Sequence, residues 1–166
     1  MYPVRLGFDA AIKRIQSLQR NGHDAEALLT AVFTAEKTLR RTLRQLVVSS
    51  GFTSRIADKV MGGIRGLEAI KNAWEIYDPL HRKLAELLPA GDWEVIKKAA
   101  GMRNEIVHGA KVYEAKSCKI PATSVIKALK SIKKYFNAEY GYCGWTIAKA
   151  RKRSRLHSHP TVTWSP

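Results

Sequence analysis

Apolar residues recur at three- and four-residue intervals along most of the chain, and the two-residue alternation of a strand is nearly absent. Phe8, Ile12, Ile15 and Leu18 share one face and predict a helix over residues 8–20. Asn21-Gly22-His23 breaks it, and Asp24 is the expected cap of the next. That second helix spans residues 25–49, with Leu28, Val32, Ala35, Leu39, Thr42 or Leu43, and Leu46 turned inward. Ser54 is expected to cap a short helix over residues 55–61, and Gly62, Gly63 and Gly66 oppose its continuation. Further helices are predicted over residues 67–76 and 81–88, separated by Asp78-Pro79. Pro89-Ala90-Gly91 forms a turn, and Asp92 caps a helix that runs to His108. After a connector at 110–121, Val125, Ile126, Leu129, Ile132 and Phe136 mark a last helix over residues 122–138, and Gly141 and Gly144 mark a turn. The pattern reads as one all-α antiparallel bundle of four to six helices over residues 1–145, followed by a basic tail over 146–166.

Composition narrows the partners. The chain has 166 residues, the size of one domain, with 29 basic and 14 acidic side chains, a net charge of +15 and a pI near 10.1. Such an excess concentrates polyanions, so nucleic acid is the first expectation and an anionic membrane surface the second. Cys118 and Cys143 form no CxxC pair and fit a reducing cytoplasm. No signal peptide is evident, and no apolar run is long enough for a membrane span.

The chemistry concentrates in Arg103-Asn104-Glu105-Ile106-Val107-His108-Gly109. Arginine is a permanent cation whose fork fits phosphate oxygens, and histidine exchanges protons near neutral pH. On a helix of 100° per residue, Asn104 and His108 are neighbours one turn apart, with Arg103 on their flank. Val95, Ala99, Met102 and Ile106 form the expected core stripe. Trp93, Ile96, Ala100 and Val107 fall on the outward side, so the helix is apolar on two faces. Either another helix of this chain or a second copy must cover the second face. His108 ends the helix, where the dipole favours an imidazolium. The competing reading makes His108 a helix-ending residue and Arg103 a surface ion pair with a glutamate.

An arginine and a histidine separated by four residues, with Asn directly after the arginine, resembles the HEPN family of nucleotide-binding domains. The long second helix, with Leu29 to Leu39, is similar to that family's early helix, and the resemblance covers about residues 24–138. It implies an all-α bundle that dimerises with the two motifs meeting at the interface. It also implies a metal-independent endoribonuclease of toxin–antitoxin, abortive-infection or CRISPR-linked defence, or an inactive relative that binds RNA or protein. One subgroup, paired with a nucleotidyltransferase antitoxin, carries Tyr two residues after the histidine. Here Ala110 holds that place and Tyr113 lies three residues further on.

The expected reaction is attack of a ribose 2′-hydroxyl on the adjacent phosphate. His108 would act as base or acid, Arg103 would stabilise the anionic phosphorane, and Asn104 would orient the phosphate or the ring. No cofactor or metal is expected. The expected partners are RNA, a second copy of the chain and an antitoxin protein, with no membrane. Arg40, Arg41 and Arg44 are candidates to track a phosphate backbone, as is the basic run of Lys149, Arg151, Lys152, Arg153 and Arg155. Lys127, Lys130, Lys133 and Lys134 read equally as such a face or as a solvated one. His157 and His159 with Cys118 and Cys143 match no regular zinc spacing. Trp74, Tyr77 and Trp93 read as core or interface, and His23 and His81 as surface. The alternatives to a nuclease are a non-catalytic module of the same fold and a helical DNA-binding regulator, for which no convincing helix-turn-helix spacing is found.

Overall fold

The computed structural model describes residues 7–156 apart from Ala90. Among these the fold is all-α, with no strand. Seven helices follow in order: α1 (Phe8–Arg20), α2 (Asp24–Ser49), α3 (Ser54–Gly63), α4 (Gly66–Tyr77), α5 (Leu84–Leu87), α6 (Asp92–Val107) and α7 (Lys119–Tyr140), with a 3-10 turn at Ala115–Cys118 before the last. Each of the seven segments expected to be helical holds one, and α5 is a single turn, so six longer helices make up the bundle. No helix among the described residues is long and apolar enough to cross a membrane.

α2 is the axis of the bundle and touches α1, α3, α4, α6 and α7. Its inward stripe is buried as expected, from Leu28 and Val32 through Ala35, Leu39, Leu43 and Leu46. A second buried row, of which only Thr42 was expected inward, runs beside it. Thr30, Thr34, Thr38 and Thr42, one turn apart, each donate a hydroxyl to the carbonyl four residues back, at 2.7, 2.7, 2.7 and 2.9 Å. Their polarity is satisfied within the helix, so the row can lie against protein at little desolvation cost. Trp145 closes over it, donating from Nε1 to Thr38 Oγ1 at 2.8 Å and meeting Phe8 edge-on at 5.5 Å between ring centroids. Thr38→Val removes that acceptor and leaves a half-buried indole N–H without it. The expected loss is about 1–2 kcal/mol of stability, read by urea denaturation.

Several helix ends differ from the expectation. Asp24 is the first residue of α2, not its cap; His23 takes the cap position without a side-chain capping hydrogen bond. Thr53, not Ser54, caps α3, its hydroxyl accepting from the Ile56 N–H at 3.3 Å. Asp92 likewise opens α6 rather than capping it. The helix expected over 81–88 shrinks to α5 because Asp78 captures the chain: its Oδ2 accepts from the N–H groups of Leu80 and Arg82, both at 3.0 Å. α7 starts earlier than expected, since Pro121 sits in a first turn whose N–H groups have no intrahelical partner anyway.

Asp78 anchors this side of the bundle. Its side chain is fully buried. It accepts from Arg82 Nη2 and Nε at 3.0 Å each and from Tyr140 Oη at 2.6 Å. Arg82 also reaches Glu139 at 2.6 Å, which ties the α4–α5 turn to α7. Trp74, fully buried, stacks on Phe136 at 5.2 Å and donates to the same Tyr140 hydroxyl at 3.2 Å. Tyr77 packs edge-on against Phe52. The aromatics are thus core groups, as read from their spacing.

Candidate functional site

α6 enters the bundle with Trp93, Ile96, Ala99 and Ala100 buried. This corrects the sequence reading of its faces. Trp93, Ile96 and Ala100, assigned outward, lie in the core, whereas Val95, Met102 and Ile106 are only half-buried. The helix is apolar on two sides because α2 and α7 both pack against it. For this half of the helix, the chain itself therefore covers the second face.

Beyond Ala100 every residue of α6 is half-buried or exposed. The stop is a Schellman turn. His108 occupies the C-cap, the Gly109 N–H bonds to Ile106 O at 3.2 Å, and the Ala110 N–H bonds to Glu105 O at 2.9 Å. Gly109 has φ +65°, a left-handed conformation that glycine adopts without strain. The connector then folds back, and the Tyr113 hydroxyl donates to the Glu105 carboxylate, which pushes the phenol's pKa up.

Asn104 and His108 are exposed side by side on the outer surface of this end. Arg103 is held between the two faces. Its Nη2 lies 3.1 Å from Glu36 Oε2 on α2, and its guanidinium lies 4.9 Å from the ring centre of Phe33. The side chains of Arg103 and Glu36 are 19% and 22% exposed, so the pair is sheltered but reachable. Its Nε is buried with no hydrogen-bond partner among the described residues. The glutamate pairing weighed from sequence is therefore present. Glu36 itself went unnoticed there, although it is the only acid between Glu26 and Asp58. Phe33 and Val107 flank the arginine, 50% and 53% exposed.

The other basic candidates divide. Arg40 donates to the carbonyls of Met61 and Ile64 at the end of α3. Arg44 forks onto Asp58 at 2.6 and 3.1 Å. Arg41 is exposed, with Nη1 3.3 Å from Gly144 O and its guanidinium 5.5 Å from the Trp145 ring centre. Periodicity alone could not reveal these partners, because α3 and the segment after α7 come to α2 only through the tertiary fold. Lys127, Lys130 and Lys134 are exposed, while Lys133 sits 3.8 Å from Asp9 and over Phe8. Lys149, Arg151, Lys152, Arg153 and Arg155 line a concavity of about 500 Å³ with Gln45, Val48 and Ser49.

Cys118 and Cys143 are buried free thiols, and burial pushes that of Cys118 up. No three His, Cys, Asp or Glu side chains cluster as metal ligands among the described residues, and His157 and His159 lie outside them. His23 and His81 are exposed, yet His81 does have a partner, the Glu75 carbonyl at 2.9 Å. Compared with known proteins, the chain matches no family model, no curated protein and no solved structure.

Proposed function

We propose that the chain is a metal-independent endoribonuclease of the HEPN type, acting as a symmetric pair of copies in a toxin or antiviral-defence role. The observation that carries this reading is the end of α6. There His108 and Asn104 stand exposed one turn apart, beside an Arg103 braced by Glu36 and Phe33. A guanidinium fixed before substrate arrives stabilises developing charge without reorganising. A second copy covering Phe33 and Val107 would bring two such ends together, which supplies one histidine as base and one as acid. The base takes the proton of the 2′-hydroxyl as its oxygen attacks phosphorus. The acid protonates the departing 5′-oxygen. The products are a 2′,3′-cyclic phosphate and a 5′-hydroxyl, and DNA is not cut. An antitoxin protein that masks this end fits the same reading.

The Arg103–Glu36 pair also favours a second reading, because a carboxylate offsets the charge that a phosphate would meet. On that reading the module binds RNA or a protein without cutting it.

The test incubates purified protein with total RNA in EDTA, alongside DNA and an Arg103→Ala/His108→Ala variant, and identifies product ends. Cleavage of RNA alone, with cyclic phosphate ends and none from the variant, is expected. Loss of activity in EDTA, or full activity in the variant, rejects the nuclease.

A further inference from the structure

The last described residues build a second feature, on a different side of α2. From the positions of Phe33 and Glu36 to those of Gln45, Val48 and Ser49, the helix advances about 19 Å and turns about 140°. There the basic run is docked rather than trailing. The Ser54 N–H donates to Arg151 O and the Arg151 N–H to Ser54 Oγ, both at 2.9 Å. The Arg155 N–H and the Ser154 hydroxyl donate to Gly51 O at 2.9 and 3.4 Å. Gly51 has φ +116°, and a Cβ on it would lie 3.3 Å from Leu156 N and 3.4 Å from Arg155 C. The bare backbone of the α2–α3 loop is what lets the run lie so close.

The result is a rim of five cations within seven residues around the concavity floored by Gln45, Val48 and Ser49. Lys149, Lys152 and Arg153 are exposed. Among the described residues that line the groove there is neither a carboxylate nor an aromatic ring.

We propose that this groove holds the sugar-phosphate backbone of a single-stranded nucleic acid, RNA or DNA alike, as an anchoring site separate from Arg103 and His108. Arginine forks fit phosphate oxygens, and a row of fixed cations suits a polymer charged at every unit. Contacts to phosphates alone position a strand and carry no sequence information, so the groove does not read sequence. At about 500 Å³ the concavity has room for the phosphates of one strand. Binding here stands apart from the nuclease reading; only its effect on cleavage rests on that reading.

The experiment measures anisotropy of labelled oligothymidylate and oligouridylate of equal length with the full chain carrying His108→Ala. Both are expected to bind comparably and to weaken with salt. Lys149→Gln/Lys152→Gln/Arg153→Gln is expected to flatten the log-log salt slope by about 2 and to weaken binding at least ~10-fold. Gly51→Ala, with every charge retained, is expected to weaken binding by displacing the run; if it does not fold, the triple variant decides. Unchanged binding in the triple variant overturns the proposal. So does wild-type binding by folded Gly51→Ala, which marks a loose polycation, or equal competition by polyglutamate, which marks an acidic-protein site. With the wild-type chain, oligothymidylate is expected to slow RNA cleavage without being cut. If no RNA is cut yet binding follows this pattern, the groove stands and the nuclease falls; cleavage with tail-independent binding gives the converse.

Discussion

His108→Ala is expected to lower RNA cleavage by at least ~100-fold, the lower bound for removing a general acid or base. The fold should not notice. His108 is exposed, and its part in ending α6 is played by its backbone N–H, which bonds to Asn104 O at 2.9 Å. Truncating an exposed side chain of this kind costs at most about 0.5 kcal/mol. A thermal melt and a single-turnover assay on the same sample therefore separate chemistry from folding. Cleavage within twofold of wild type would remove His108 from the mechanism. Cleavage lost together with a large drop in melting temperature would give it a structural role instead.

Asp78→Ala is expected to have the largest effect on stability, about 3 kcal/mol, because it leaves Arg82 and the Tyr140 hydroxyl without their buried acceptor. For a chain of this size that lowers the melting midpoint by roughly 6–12 °C. Tyr140→Phe, which removes the bond to Asp78 and the one from Trp74 and keeps the ring on Phe136, is expected to cost about 2 kcal/mol. The pH dependence follows from the same contacts. Burial alone would raise the pKa of Asp78, but the hydrogen bonds from Arg82, Tyr140 and the Leu80 amide outweigh it and hold the carboxyl well below the usual range. A depressed native pKa contributes stability that is fully present above the unfolded value of about 3.9 and is lost as pH falls below it. Urea titrations at neutral pH and at about pH 3 should thus show wild type and Asp78→Ala converging in acid. Equal differences at both pH values would mean that the network is not held by the charge.

Local pattern carried much of this fold. The bounds of α1, the buried stripes of α2 and α7, and the helix stop at Gly109 were all legible. Asn104 and His108 are exposed as expected, although of the core stripe from which that was read only Ala99 is buried. What escaped depends on packing between distant segments. Periodicity could not orient α6, because a helix apolar on two sides has no unique inward face until α2 and α7 are placed. Glu36, 67 positions from Arg103, and Asp58, paired to Arg44, are partners that the one-dimensional pattern does not mark. The docking of the basic run needs Gly51 on the α2–α3 loop and Ser54 at the start of α3, and Ser54 read from sequence only as a helix cap.

The edge-on meeting of Phe8 with Trp145 bears on how the molecule is made. A chain emerging from the ribosome releases the first helix early and the indole late. Until residue 145 is out, the opening turn of α1 lacks that cover, and its ring is free for chaperones or for a neighbouring nascent chain. A chain released after α7 but before residue 145 would therefore carry all seven helices and leave the Phe8 ring without its edge-on partner.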